Sequence, residues 1–440
     1  MQSYFHDVVD ELSSLLVGEE RFLASFSGEE SDFVRFNRGE IRQAGSVAQR
    51  YLEIDLIEGR RHASCELSLA GDRETDRARL ASAVEALRAT RPYLPEDPHL
   101  LYAEHAPTSE QIHRGHLPEA PAGAAAVQAI GAQHDLVGIY AAGPIHSGFA
   151  SSFGQRNWHS TESFHLDFSL YHEADRAVKT SYAGFVWEPA ELERKARLAT
   201  EQLATLARQP RTLRPGRYRV FLAPAALGEI VEVLSWNGFS LRAARTKTTP
   251  LLKLVEHEVT LSPLVDITEN THEGVAPNFQ ESGFIRPDRV PLVHHGRPAS
   301  SLVSPRSAAE YGVPTNGASS TEMPCSIDLA AGRLPSDDVL TRLGTGLYVS
   351  NLWYCNFSDR SACRTTGMTR FATFWVQNGE LIEPVNVMRF DETIYRMLGD
   401  NLIDLTAERE LILAADTYES RSVTSARLPG ALIDDFTLTL

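Results

Sequence analysis

The first apolar residues of the chain recur at the spacing of a helix. Phe5, Val8 and Leu12 fall three or four positions apart, which predicts that the chain opens with an amphipathic helix. Apolar and polar residues then alternate over 52–56 and again over 62–67, with a glycine turn between the two runs. This pattern predicts a β-hairpin after the helix.

A second helix is predicted from Asp76 onward. Leu80 and Leu87 continue the helical spacing, Asp76 has the side chain of an N-cap, and Pro92 pushes the residue before it out of helical geometry. Residues 92–124 are rich in Pro, His and Ala and have no clear period. We interpret this stretch as a linker.

Strict alternation marks the middle of the first half. Polar residues separate apolar ones along the run Phe164, His165, Leu166, Asp167, Phe168, Ser169 and Leu170. The alternation predicts an antiparallel meander with one solvated face. Apolar residues at steps of three and four predict a helix over 189–209, and the prolines that follow it favour a domain boundary near residue 212.

Short apolar runs separated by Gly, Pro, Asn and Ser dominate the second half and indicate β-structure. One helix is predicted over Ala225–Trp236, ended by Asn237-Gly238, and the turn Gln377-Asn378-Gly379 predicts a hairpin. The expected fold class is α+β. An N-terminal α/β domain, residues 1–212, has a mixed or antiparallel sheet with flanking helices, and a β-rich C-terminal domain, residues 213–440, follows it.

Acidic residues outnumber basic ones. The 440 residues include 58 Asp and Glu against 42 Lys and Arg, a formal net charge of −16. The resulting field repels phosphate, so we expect neither a nucleic acid nor an anionic membrane as the main partner. The first 20 residues lack the basic and apolar regions of a secretion signal, and the longest apolar run, 221–236, is too short to cross a bilayer. We therefore expect a cytoplasmic protein.

The sequence contains no zinc-peptidase helix motif. Neither His-Glu-x-x-His nor His-Glu-x-x-x-His occurs, and the His-Glu pairs at 172, 257 and 272 lack the second histidine that such a metal helix needs. We interpret these pairs as polar residues of strands or loops. His294 and His295 receive the same interpretation, because neighbouring strand residues point to opposite faces.

Cys363 is a candidate nucleophile. Arg360 and Arg364 could lower the pKa of its thiol, but a nucleophile also needs a histidine base close in space. The nearest histidines in the sequence, His294 and His295, say nothing about distance in the fold. The alternative interpretation is a small buried thiol at the edge of a strand.

Five stretches of the chain together resemble the TldD/PmbA family of peptidase-related proteins. The tail carries the most specific of them, Gly344–Asn351 and Thr366–Val385. Weaker likeness extends over Phe33–Leu56, Leu136–Tyr182 and Glu273–Arg297, so the resemblance covers nearly the whole chain. It implies a cytoplasmic, two-domain protein that pairs with a related subunit to enclose a peptide-processing groove.

The resemblance also implies where a zinc site would lie. In the catalytic half of that family, a helix carries His-Glu-x-x-x-His and a cysteine near the C-terminus completes the site. Glu232 and Asn237 stand at the histidine positions of the comparable helix, and the cysteine position lies near Asp416. The chain thus looks like the PmbA (TldE) half, with no cofactor of its own and zinc expected in a partner subunit, although Met368 stands where an acidic residue usually follows the Thr-Gly.

The leading hypothesis is a non-catalytic or partner-dependent subunit of a TldD/PmbA-type metallopeptidase complex that processes peptides or unfolded proteins, either as a heterodimer with a TldD-like subunit or as a homodimer. Candidates for its groove or interface are Tyr348, Asn351, Trp353, Asn356 and Arg364. Ordinary sheet packing is the alternative interpretation of these residues. Two other functions stay open: an autonomous hydrolase that uses Cys363 or an unrecognised metal site, and a non-enzymatic binding or scaffold protein.

Overall fold

Two β-sheets organise the protein in the computed structural model, which describes residues 1–415, 417 and 419–440. The helices are α1 (Gln2–Leu15), α2 (Arg73–Thr90), α3 (Ala120–Gly131), α4 (Pro189–Leu206), α5 (Pro224–Ser235), α6 (Leu241–Arg245), α7 (Leu252–Val255), α8 (Pro305–Tyr311), α9 (Val339–Leu343) and α10 (Ile394–Met397). Short 3-10 turns lie at Arg91–Tyr93, Thr271–Glu273 and Ser336–Asp338.

The first sheet is built from β1 (Arg21–Asn37), β2 (Glu40–Glu58), β3 (Arg61–Ser68), β4 (Ser109–His113), β5 (Asp135–Ser151), β6 (Arg156–Glu173) and β7 (Arg176–Gly184). Its strand order is β3-β2-β1-β5-β6-β4, and β7 pairs with the other end of β6. The long antiparallel strands carry the sheet, whereas β4 joins β6 in parallel.

The second sheet is built from β8 (Gly216–Leu222), β9 (Ile267–Asn270), β10 (Arg289–His294), β11 (Arg297–Pro298), β12 (Ser326–Leu329), β13 (Gly346–Asp359), β14 (Arg364–Gln377), β15 (Glu380–Pro384), β16 (Arg389–Thr393), β17 (Leu402–Leu413) and β18 (Ser425–Leu438). Its order is β11-β10-β9-β12-β18-β16-β14-β13-β8, with β15 beside β14 and β17 beside β18. β18 also pairs with β8, and α5 packs against β13 and β18.

The helices α1 to α4 cover one face of the first sheet. Phe5 and Leu12 of α1 pack with Phe26 and Trp158, and Leu192 of α4 belongs to a second apolar cluster under the other end of the sheet. Both clusters draw on alternate strand residues, so one face of the sheet is apolar along its whole length.

Most sequence-predicted elements are confirmed. The opening helix, the hairpin of β2 and β3, the helix after residue 189 and the helix after residue 224 all form close to the predicted positions. Asn378 (φ 53°) and Gly379 (φ 81°) make the predicted hairpin turn with positive φ at both central positions. The α+β class, with an N-terminal sheet domain and a β-rich C-terminal sheet, is confirmed as well.

Three local predictions differ from the structure. The cap of α2 is Asp72, whose carboxylate accepts from the Thr75 amide at 2.8 Å, while Asp76 lies in the first turn and is buried. Residues 92–124 are more ordered than a linker, since β4 pairs with β6 there. The polar face of β6 is also not solvated: Ser163 and His165 are 1% and 4% exposed, because the second half of the chain covers them.

Within the described residues, no helix combines the length and the apolar character that a bilayer span requires.

A buried carboxylate joins two helix starts in the second half. Glu322 is fully buried and accepts from the Ser304 hydroxyl (2.9 Å), the Ser304 amide (2.9 Å), the Arg242 amide (3.0 Å) and the Ser240 hydroxyl. Ser240 and Ser304 are in turn the N-caps of α6 and α8. Burial opposes ionisation, but these donors outweigh it and hold the pKa of Glu322 below its usual value near 4.5.

Glu322→Gln is expected to lower the free energy of unfolding by about 3 kcal/mol, because an amide leaves several of these buried donors without an acceptor. The folded-state pKa is depressed, so the difference from wild type is full above pH 4.5 and shrinks as the pH falls through the lower folded value. Urea unfolding at several pH values measures it. Glu310→Gln, on the exposed face of α8, is the control, and equal losses in both variants would contradict the expectation.

Candidate functional site

A cavity of about 870 Å³ lies between the two halves of the chain. Strands β1, β5, β6 and β7 of the first sheet form one wall. Helix α5 and residues from 412–415 and 420–426 form the other. The volume lies within the range of roughly 300–1,000 Å³ that is typical of ligand pockets.

One face of α5 borders this cavity. The α5 residues that line it include Ala225, Gly228, Glu229, Glu232 and Ser235, which recur along one side of the helix. The other face buries Leu227, Ile230 and Leu234 in the core of the second sheet. Pro224 at the first helical position starts the helix after β8. The sequence thus produces a helix that is apolar on one side and acidic toward the cavity.

Burial and the carboxylates of α5 raise the pKa values of Glu229 and of the nearby Cys355. Burial raises the pKa of Glu229, the Glu232 carboxylate raises it further, and Lys179 of β7 opposes the rise. Burial, together with both carboxylates, raises the pKa of the Cys355 thiol to about 12. The α5 wall therefore presents negative charge, with one carboxylate that holds its proton more readily than usual.

Two neutral imidazoles lie on the buried polar face of β6. Burial lowers the pKa of His165 to about 4, with a further contribution from Arg421, and burial also lowers that of His159 to about 4. The Nε2 atom of His159 lies 3.2 Å from the carbonyl oxygen of Val275. His165 borders the cavity, and its Nε2 atom has no hydrogen-bond partner among the described residues. It can therefore donate to or accept from a bound molecule.

Arg421 crosses from the second half to three strands of the first sheet. Its guanidinium donates to the Gly143 carbonyl (2.9 Å), the Ser31 hydroxyl (3.3 Å), and both the carbonyl (2.9 Å) and the hydroxyl (2.7 Å) of Ser163. Its amide donates to Glu29 at 3.2 Å. Burial lowers the pKa of Arg421 to about 10, so the side chain stays charged at neutral pH.

Glu232 and Asn237, which the family resemblance places at the histidine positions of a zinc helix, lie in different surroundings. Glu232 lies on the cavity wall, whereas Asn237 lies beyond the end of α5 with φ 65° and is not among the lining residues. Asp416, the third compared position, lies outside the described residues. Within the part of the chain that the structure describes, no three metal-ligand atoms converge at this wall. Carboxylates without a paired imidazole do not fit a peptidase zinc.

The predicted groove or interface residues are also separated. Asn351 lines the cavity. Tyr348 is partly buried and packs against Phe221 and Phe374 at the edge of two apolar clusters. Trp353, Asn356 and Arg364 lie on the outer part of the β13–β14 hairpin, away from the cavity lining, with Arg364 3.3 Å from Asp391.

Cys363 has none of the surroundings of a nucleophile. Its side chain is fully buried in the core of the second sheet, and burial raises the pKa of its thiol to about 12. The thiol therefore stays protonated at neutral pH.

Sequence reasoning missed most of the cavity lining, including Lys179, Glu229, His165 and Arg421. The polar positions of β6 carried a usable signal, because their alternation with Phe164, Leu166 and Phe168 marked a second face of the sheet. Whether that face met water or another layer depended on residues far away in the chain.

Arg421→Met is expected to destabilise the protein by about 2–4 kcal/mol, because it removes the buried donors and leaves the Gly143 and Ser163 carbonyls without them. Urea unfolding measures the change. Arg42→Met, at an exposed position of β2, is the matched control and should cost less than about 0.5 kcal/mol. If Arg421→Met lowers the free energy of unfolding no more than Arg42→Met does, the structural role of this contact is contradicted.

Comparison with solved structures identifies relatives of the whole fold. TldE from Thermococcus kodakarensis matches with a TM-score of 0.77 and 12% identity, over 99% of this chain and 100% of the other. A proposed modulator of a DNA gyrase from Thermotoga maritima gives 0.76 and 13%, over 99% and 100%. A protein of the same description from Bacteroides thetaiotaomicron gives 0.72 and 14%, over 99% and 98%. No curated protein matches the sequence.

The family comparison covers the second half of the chain. Residues 215–440, which run from the start of β8 through α5 and the whole second sheet, match the model of the PmbA/TldA metallopeptidase C-terminal domain. The matched segment is just over half of the 440 residues, and the likeness to solved structures extends the same fold to the first half. The chain belongs to the PmbA/TldD family of metallopeptidase-related proteins.

Proposed function

We propose that this chain is a non-catalytic or partner-dependent subunit of a TldD/PmbA-type metallopeptidase complex, and that its cavity accommodates an extended peptide. The observation that carries the proposal is the position of two edge strands. β7 is an edge of the first sheet and β17 an edge of the second, and residues of both line the cavity.

Edge strands suit an extended peptide because their outward N–H and C=O groups can pair with another backbone. Lys179, Thr180 and Ser181 of β7 and Ile412 and Leu413 of β17 border the cavity. Main-chain pairing tolerates many sequences, so a groove of this kind accepts unfolded chains of varied composition. A folded protein presents no free strand that could enter between the two sheets.

The donor set of the cavity supports dependence on a partner. Helix α5 brings two carboxylates and no imidazole to the wall, His146 and His165 line the cavity from the first sheet, and within the described residues no three ligand atoms converge there. Zinc peptidase sites need convergent histidine or cysteine ligands. We therefore assign the metal to another subunit, one with His-Glu-x-x-x-His on its own helix. The similarity to TldE of Thermococcus kodakarensis favours such a pairing, although a second copy of this chain is the other possible partner.

The outer part of the β13–β14 hairpin is the proposed partner surface. Trp353 and Tyr354 are 48% and 75% exposed, and their rings lie 5.2 Å apart between centroids. The Arg370 guanidinium lies over the Trp353 ring at 5.3 Å, and Asn356 is exposed next to them. Exposed aromatic side chains beside an arginine have the composition of interface hot spots.

The function is tested by purifying this chain alone and together with a relative that carries His-Glu-x-x-x-His. We expect the isolated chain to cleave no unfolded protein, with or without added zinc, and the mixture to co-elute and gain peptidase activity that a chelator removes. Activity of the lone chain that is lost in Cys363→Ala would replace the proposal with an autonomous hydrolase. If the chain shows no activity and associates neither with this relative nor with a second copy of itself, the result would favour a scaffold protein.

Trp353→Ala is expected to weaken association with the partner by about 30-fold, since loss of a central aromatic anchor typically costs about 2 kcal/mol. Sedimentation or a pull-down titration measures the affinity. Tyr93→Ala removes an aromatic ring that is 89% exposed elsewhere and should leave the affinity unchanged. An unchanged affinity in Trp353→Ala would place the interface on another surface.

A further inference from the structure

Three possible metal ligands converge at the tip of the β10–β11 hairpin, outside the cavity. Asp266, His294 and His295 each offer one ligand atom, and the three atoms lie within 4.8 Å of one another. The His294 and His295 side chains are 65% and 66% exposed, and that of Asp266 is 29% exposed. None of the three lines the large cavity.

The backbone explains why two adjacent histidines point the same way. His294 ends β10 and pairs with Arg297, so His295 and Gly296 are the two turn residues. Both have positive φ, 46° and 72°, which is the geometry of a tight hairpin turn. The sequence predicted that the His294 and His295 side chains point to opposite faces, which holds only for two residues within a strand. Here the strand ends at His294 and the turn begins at His295. The ring centroids consequently lie 4.1 Å apart.

The turn is held firmly against the segment that carries Asp266. The Gly296 amide donates to the Val265 carbonyl at 2.9 Å, and the Leu261 amide donates to the Gly296 carbonyl at 2.8 Å. A Cβ on Gly296 would lie 2.2 Å from the Leu261 carbonyl oxygen, so only glycine allows this approach. His295 adopts positive φ as the first residue of this two-residue turn, a conformation in which histidine is enriched among non-glycine residues.

The distances at the tip suit a small divalent ion. Asp266 Oδ1 lies 2.8 Å from His294 Nδ1, and Asp266 Oδ2 lies 3.4 Å from His295 Nδ1. Ligand atoms bound about 2.0–2.1 Å from a tetrahedral zinc are about 3.3 Å from each other. The His295 amide also donates to Asp266 Oδ1 at 2.7 Å, which fixes the orientation of the carboxylate. The separations between the ligand atoms lie on both sides of this tetrahedral value, up to 4.8 Å, so rotation of the exposed rings would have to bring the three side chains to one ion.

We propose that Asp266, His294 and His295 form a surface site for a borderline divalent transition ion such as Zn²⁺. Two imidazoles and one carboxylate are the ligand types that such ions prefer, whereas Mg²⁺ and Ca²⁺ favour oxygen alone. Exposure of the rings leaves the remaining coordination position to water. An ion at His294 Nδ1 needs that ring in the neutral tautomer with its proton on Nε2, which leaves the lone pair of Nδ1 free.

Calorimetric titration of the full chain with Zn²⁺ alone tests the site. We expect one equivalent to bind to the wild type, and the double variant His294→Ala/His295→Ala to lose this equivalent or to bind it at least tenfold more weakly. Asp266→Asn should weaken the same equivalent by about tenfold while keeping an oxygen that can accept from the His295 amide. His105→Ala, which removes an exposed imidazole elsewhere, should bind as the wild type does.

Thermal unfolding with and without Zn²⁺ gives a second measurement. The ion should raise the midpoint of the wild type and of His105→Ala, but not that of the double variant, because only a site in the folded state stabilises it. Wild type that binds no Zn²⁺, or a folded double variant that binds it as tightly as wild type, would overturn the site. Either result leaves the peptidase-subunit proposal unaffected, because the cavity and the hairpin tip do not share residues.

Discussion

The buried guanidinium of Arg421 is the contact on which the arrangement of the two sheets depends. It donates to Ser31 of β1, Gly143 of β5 and Ser163 of β6, residues that lie 258 to 390 positions away in the sequence. A buried charge is costly unless it is hydrogen bonded, and burial indeed lowers its pKa. The polar face of the first sheet supplies the acceptors that make burial possible. Each half of the chain therefore satisfies polar groups of the other, and the cavity is the space left between them.

Local chemistry predicted much of the fold. Helix α1, the hairpin of β2 and β3, helix α5 and the turn at Asn378-Gly379 each follow from side chains close together in sequence. Their spacing fixes which face is apolar, and turn residues fix where the chain reverses. The failures involve distant partners. β4 forms because β6 offers an edge to it, and Asp76 leaves the cap to Asp72 because Tyr4 and the amides of Ala70 and Gly71 surround its carboxylate.

The candidate site was predictable only in part. The family likeness located α5, and the structure places Glu232 of that helix on the cavity wall. The family likeness could not indicate that Glu229 shares this wall or that His165 faces it from β6, since both positions depend on how the two sheets pack. The interpretation of His294 and His295 failed for a local reason. Alternation along a strand ends where the strand ends, and His295, which has positive φ, is already a turn residue, so its side chain does not follow the alternation.

The position of β18 has a consequence for how the protein is made. β18 pairs with β8, β12, β16 and β17, and it follows all of them in the chain. Val220 of β8 lies beside Ile433, so β8 leaves the ribosome more than 200 residues before this neighbour is synthesised. During translation the second sheet lacks its central member, and its apolar strands stay open to wrong pairing. The second sheet can therefore be completed only after the final strand has been synthesised.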